Sequence, residues 1–284
     1  MSFRNLLLVI RAYPAGISVA AVNSAVAMAA VLAPRVSAVA CAIKPKVPRS
    51  IVGNALLDVS AIVTAEYKKS EEDAQRLLTV FEQAATKQGV FGERLLKTCR
   101  PYEVPDTLAA SSRLRDLTIL PMPQGDYVSQ FDAKWDAETI IFRSGHPSIL
   151  LPAELSEPVK LDTVIVAWDE SRAAARAIAD AMPILKKAKH VRILTVVGEK
   201  PIATRQAGTE LAQHLAFHGV ESAVDEVDSA GRPIGDVLRD QVTTHRADLL
   251  VMGAYGHSRL REFVLGGATK SMLTRPPTAL FLSH

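Results

Sequence analysis

At 284 residues the chain has room for roughly two domains of ~100–200 residues each, and at 48% hydrophobic each can bury an apolar core. The 33 lysines and arginines against 30 acidic residues leave a net charge of +3 spread over a mixed surface, which argues against a basic tail and against nucleic acid as a partner. Only Cys41 and Cys99 are present, far apart and without Cys-x-x-Cys spacing, so neither a disulfide framework nor a zinc site is expected, and a reducing cytoplasm fits.

The first apolar run, Leu6–Ile10, reads as a buried strand. The stretch Ala15–Ala33 approaches the ~20 residues of a membrane span. Alanine dominates it, Pro34 follows at once and Arg11 interrupts any signal-peptide core, so it reads as a buried domain helix. Val36–Ile43 is a second continuous apolar run, the pattern of a strand covered on both faces. Lys44–Pro48 reads as a rigid loop, Ile51–Tyr67 as an apolar-periodic helix, and Lys68–Asp73 as a solvated helix junction. Cys41 in its strand and Cys99 near a strand end read as packing residues. Asp106–Met122 is a helix feeding a strand, and Ser144–Leu151 is a proline-started last strand.

The second half repeats this order. Thr163–Trp168 is a strand, Arg172–Leu185 an alanine-rich helix, and Val191–Val197 a strand. Gly231–Gly235 reads as a turn ahead of a helix over Asp236–Thr244, which feeds the strand Asp248–Met252. Read side by side, Asp106–Met122 matches Asp236–Met252, and Ser144–Leu151 matches Thr274–Phe281. Each half therefore supplies about five strands with intervening helices, and alternation of this kind forces parallel pairing and right-handed crossovers. The expected architecture is two Rossmann-like α/β domains, each a roughly five-stranded parallel sheet with helices on both faces. The boundaries expected are 1–152 and 161–284, with 153–160 a Pro- and Glu-containing linker.

One constellation carries chemistry. After Asp248–Met252 come Gly253 and Gly256, then His257–Leu265, then Gly266, Gly267, Ala268 and Thr269 leading into a helix. In a doubly wound sheet, ligands sit outside the carboxyl ends of the strands where the strand order reverses. Glycines there let backbone amides approach an anion, and a helix start favours phosphate by ~0.3–1 kcal/mol per charge interaction. No Gly-x-x-x-x-Gly-Lys-Ser/Thr loop occurs. Ser258 sits inside a loop without a nucleophile elbow's second glycine, so hydrolase chemistry by it is rejected.

Gly-x-x-Gly, a nine-residue spacer, then Gly-Ser/Thr resembles the nucleotide motif of the universal stress proteins, and the resemblance spans the chain as two copies. It implies an adenine nucleotide alpha hydrolase-like fold and ATP or AMP, with or without Mg, in the C-terminal copy. The family's strand-end aspartate falls on Asp169, after Ala167 and Trp168. Its backbone contact to adenine falls on Val196, its glycine turn on Met252, Gly253 and Gly256, and its phosphate-holding pair on Gly266 and Gly267, followed by Ala268. Gly267 replaces the family's hydroxyl residue, and a lost hydrogen bond to a charged phosphate costs ~1.5–3 kcal/mol unless Thr269 or the Gly267 amide compensates. His257, Arg259 and Arg261 are loop candidates for phosphate contact. Asp169 is equally a candidate helix cap.

The N-terminal copy lacks these features. Arg11 or Ala12 stands where the aspartate is needed, Pro123 in place of the first glycine, and Phe131–Trp135 in place of the Gly-Gly helix start. The expected function is a stress-response regulatory protein that binds ATP or AMP in its C-terminal domain, at most a weak ATPase and not an efficient enzyme. The alternative is a scaffold or interaction protein that binds no nucleotide. The two domains are expected to pack on each other, a homodimer is compatible with the reading, and the location expected is cytoplasmic, with no membrane.

Overall fold

The computed structural model describes residues 2–44, 59–124, 127–153, 160–198, 206–255 and 267–284, with the backbone alone for 59, 60 and 127–131. Contacts divide the chain into two compact units, Arg4–Ser144 and Gly145–His284 with Met1–Phe3.

The N-terminal unit runs β1 (Leu6–Ile10), α1 (Val19–Leu32), β2 (Val36–Ile43), α2 (Val59–Lys87), β3 (Phe91–Cys99), a single 3-10 turn at Pro101–Glu103, α3 (Val104–Ser112), β4 (Leu117–Pro121) and α4 (Tyr127–Arg143). Its strands lie in the order β3-β2-β1-β4 and are all parallel. The alanine-rich segment is the buried helix α1. It starts where the Ser18 hydroxyl accepts the Ala21 N–H at 3.0 Å, and it buries Val22, Ala25, Val26 and Ala29. Among the described residues no helix is long and apolar enough to cross a membrane.

α2 differs from the sequence expectation. It passes through Lys68–Asp73 without a junction and continues to Lys87, while 45–58 lie outside the described residues. The buried positions Ala74, Leu77, Leu78, Phe81 and Ala85 recur at helical spacing, so the charged segment is the solvent side of a continuing helix. One turn earlier, Ser70 is buried and its hydroxyl accepts the Ile43 N–H at 2.8 Å, which ties α2 to the end of β2.

The C-terminal unit runs β5 (Ser148–Leu151), β6 (Thr163–Ala167), α5 (Arg172–Leu185), β7 (His190–Val197), α6 (Ala207–Phe217), β8 (Ser222–Asp228), α7 (Ile234–His245), β9 (Leu249–Gly253), α8 (Gly267–Thr274) and β10 (Ala279–Ser283). The order is β5-β10-β9-β6-β7-β8, parallel except that β5 pairs antiparallel with β10. That one reversal departs from the all-parallel expectation. The outer strand β8 is polar (Ser222–Asp228) and is clamped to its neighbour where Arg192 Nε and Nη2 donate to the two oxygens of Asp225, both at 2.7 Å.

The repeat extends to single hydrogen bonds. Asp116 Oδ2, ahead of β4, accepts the N–H groups of Arg4 and Asn5 at 2.6 and 2.9 Å. Asp248 Oδ2, ahead of β9, accepts those of Asp162 and Thr163 at 2.9 and 2.8 Å. Each carboxylate satisfies the amides entering the first strand of its copy, groups that would otherwise lack partners.

These pairings, with the strand registers, correct the sequence correspondence by two residues. Leu6 opposes Leu117 as Val164 opposes Leu249, so Asp116 matches Asp248 and Pro121, not Pro123, matches Gly253. The same registers match Arg11, and not Ala12, with Asp169.

Candidate functional site

In the C-terminal unit the strand order reverses at β6, which has β9 on one side and β7 on the other. Crossovers leave in opposite directions from such a point and open a crevice at the carboxyl ends of the strands. The residues arriving there are Ala167 at the end of β6 with Trp168 and Asp169 after it, Val196 near the end of β7, and Met252 and Gly253 at the end of β9.

Asp169 is exposed, and its Oδ1 accepts the Ser171 N–H at 3.1 Å. Ser171, not Asp169, caps α5, accepting the Ala174 N–H at 3.1 Å. That leaves the rest of the Asp169 carboxylate facing solvent at the mouth of the crevice. Between them Glu170 takes a left-handed backbone with φ 57°, a conformation that costs a non-glycine residue energy and collects at functional turns.

Trp168 donates its backbone N–H to Leu194 O at 2.9 Å, while its buried indole Nε1 has no hydrogen-bond partner among the described residues. A buried donor without a partner costs ~1–3 kcal/mol. The hydroxyls of Thr195 on β7 and Ser229 just after β8 are likewise buried and unpartnered. Neither hydroxyl carried a signal in the sequence, because an isolated Thr or Ser in a strand pattern looks like any other. Val196 is half-buried in the β7–β8 ladder opposite Val227.

Across the switch point, Met252 is buried in the ladder opposite Leu282. Gly253 is glycine for a packing reason: a Cβ there would lie 2.4 Å from Ala174 N and 2.5 Å from Ala173 C, so the end of β9 and the start of α5 touch backbone to backbone. The chain then turns through Ala254, whose carbonyl lies 2.9 Å from His284 Nδ1, and Tyr255, which is left-handed with φ 54°. The Tyr255 N–H donates to Thr269 Oγ1 at 3.4 Å. Buried Thr269 thus ties the turn leaving β9 to the first turn of α8.

Gly267, the first residue of α8, is exposed, and among the described residues an added Cβ would find no heavy atom within 4 Å. Ala268 is half-buried beside it and Lys270 exposed. Gly256, His257, Arg259 and Gly266, with Ser258 and Arg261, lie outside the described residues. Among the described residues no group of three or more His, Cys, Asp or Glu is placed to hold a metal ion.

The universal stress protein family matches this chain over residues 160–282. The C-terminal unit is a universal stress protein domain. No curated protein sequence matches the chain. Among solved structures, a universal stress protein from Archaeoglobus fulgidus DSM 4304 is similar with a TM-score of 0.70 at 16% identity, covering 98% of this chain and 95% of that one. A putative universal stress protein from Pseudomonas aeruginosa UCBPP-PA14 is similar with a TM-score of 0.57 at 14% identity, covering 99% and 93%. At these identities the likeness is one of fold, and it extends through both units.

Beside this universal stress protein domain, the N-terminal unit carries different chemistry at matching positions. Arg11, in place of Asp169, donates from Nη1 to Asp136 at 2.6 Å and from Nη2 to Asp132 at 2.9 Å, both acids on α4. Burial pushes the Asp136 carboxyl up to about 6 against the pull of Arg11, with Asp132 adding to the rise. Pro121 and Pro123 stand at the places of Gly253 and Tyr255 and offer no N–H. Phe131–Trp135 fall inside α4 rather than at a helix start. Where the universal stress protein domain has the exposed Asp169, this unit presents a guanidinium already committed to two carboxylates.

Proposed function

We propose that the C-terminal unit binds an adenine nucleotide, ATP or AMP with or without Mg, at the carboxyl ends of β6, β7 and β9, and serves as a stress-response regulatory protein. The observation that carries this reading is the Tyr255–Thr269 hydrogen bond, which holds the turn leaving β9 against the start of α8, where no described heavy atom lies within 4 Å of a Cβ added at Gly267. A phosphate fits that arrangement, because N–H groups at a helix start lack intrahelical acceptors. In the same reading Asp169 faces the ribose hydroxyls, the Val196 backbone meets the base, and the Trp168 indole N–H, without a partner among the described residues, supplies one more donor. Gly253, Gly256, Gly266 and Ala268 supply backbone around the phosphates, with His257 and Arg259 as further phosphate contacts.

The N-terminal copy, 1–152, is a non-binding partner to the 161–284 copy in this account, since its α4 carboxylates would meet a phosphate with like charge. Hydrolysis is slow or absent, and the protein acts in the cytoplasm. Isothermal titration of the full chain with ATP and Mg tests the proposal. Saturable heat that disappears in Gly256→Val with Gly266→Val supports it. A folded parent protein that gives no heat overturns it in favour of a scaffold that binds no nucleotide.

A further inference from the structure

Cys41 and Cys99, remote in sequence, meet in the N-terminal unit. Cys41 lies on β2 and Cys99 ends β3, with Cys41 opposite Lys97 and Ile43 opposite Cys99. Residues two apart on a strand share a face, so both thiols sit on one face of the sheet as diagonal neighbours. Both are reduced and buried. The Cys99 S–H donates to the Lys97 carbonyl at 3.9 Å. The neighbouring sulfur and burial push the Cys41 thiol up, and the same pairing holds the Cys99 thiol below the ordinary thiol range. By strand register Cys41 matches Val196 and Cys99 matches Ser229, so the two sulfurs stand at the carboxyl end of the N-terminal sheet.

We propose that Cys41 and Cys99 form a thiol–disulfide site that takes low-molecular-weight disulfides as oxidant and closes into an intramolecular Cys41–Cys99 bond. The Cys99 thiolate attacks one sulfur of R–S–S–R, forming a protein–S–S–R bond and releasing RS⁻. Cys41 then gives up its proton and attacks Cys99 Sγ, releasing the second RS⁻, so that two protein thiols and one R–S–S–R become one protein disulfide and two R–SH. The order follows from position: Cys99 is the last residue of the outermost strand β3, whereas Cys41 lies on the inner strand β2.

Diagonal Cα atoms on paired strands lie ~7–8 Å apart, beyond the ~5.5–6 Å that a relaxed disulfide prefers. Closure must therefore draw the end of β3 inward. β3 can yield because it is the outermost strand of its unit's sheet and Cys99 is its last residue. A bond closed under strain is readily reduced, the property of regulatory rather than structural disulfides.

The test uses the reduced full-length chain incubated with oxidised glutathione at about pH 8 and read by intact mass and peptide mapping. The expected result is a loss of about 2 Da reversed by dithiothreitol, with a Cys41–Cys99 crosslinked peptide. Cys41→Ser should stall as a glutathione adduct on Cys99, and Cys99→Ser should stay largely unreacted. An unchanged mass with both thiols still titratable after unfolding overturns the proposal. So does a persistent glutathione adduct, or a bond only between chains, in the parent protein. Peptide mapping of the parent decides the matter even if a serine variant fails to fold.

Discussion

Gly267→Ser puts back the hydroxyl that the universal stress protein motif carries at this position, and its outcome separates a phosphate site from a mere helix start. The structure sets the magnitude. Among the described residues a Cβ at 267 meets no heavy atom within 4 Å, and the backbone there is outside the left-handed region, so serine suits the backbone. Replacing a glycine at a compatible position stabilises by ~0.4–1 kcal/mol through the unfolded chain. A new hydrogen bond to a charged phosphate adds ~1.5–3 kcal/mol, about ten- to a hundredfold in Kd. Titration calorimetry with ATP and Mg should therefore give a Kd lower by about that factor, while Gly267→Ala gains the stability and none of the affinity. A serine variant that is as stable as the parent yet binds ATP no more tightly would refute the placement of phosphate at the start of α8.

Gly253→Ala tests the neighbouring glycine, whose role is packing. Its Cβ would sit 2.4 Å from the Ala174 nitrogen, so two backbones must part, and overpacking of this kind costs ~1–3 kcal/mol or more. The urea midpoint should fall accordingly, and an unshifted midpoint would mean that β9 and α5 do not touch as described. Asp136 supplies a pH signature. Burial raises its carboxyl from 3.8 to about 6, so between those values the native state holds a proton that the unfolded state releases. Stability then falls as pH climbs from about 4 to about 6, and that part of the slope should vanish in Asp136→Asn. Urea unfolding across this range checks it, and parallel profiles for the two proteins would contradict the burial argument.

Much of the fold was legible because its signals are local. Leu6–Ile10 and Thr163–Ala167 are continuous apolar runs, α1 and α5 are alanine-rich, and the order of elements repeats. β3 and β8 were not read as named strands, since they lie outermost in their units' sheets and their sequences, Phe91–Cys99 and Ser222–Asp228, carry many polar residues. The uncapped continuation of α2 was misread at Lys68–Asp73 because a run of charges on one side of a helix resembles a break. At the candidate site, the types of Asp169, Gly253 and Gly267 were visible, but not their different physical reasons: a solvent-facing carboxylate, a backbone contact, and room for a Cβ among the described residues.

By itself the amino-acid order determined two copies of an alternating α/β pattern and a glycine-spaced segment after the ninth strand, because hydrophobic periodicity and turn residues act over a few positions. Only the tertiary structure decided that β5 runs against β10, that Arg11 rather than Ala12 answers Asp169, and that Cys41 meets Cys99. Those facts depend on which strands pair and in what register, and pairing is set by burial summed over residues far apart in the chain.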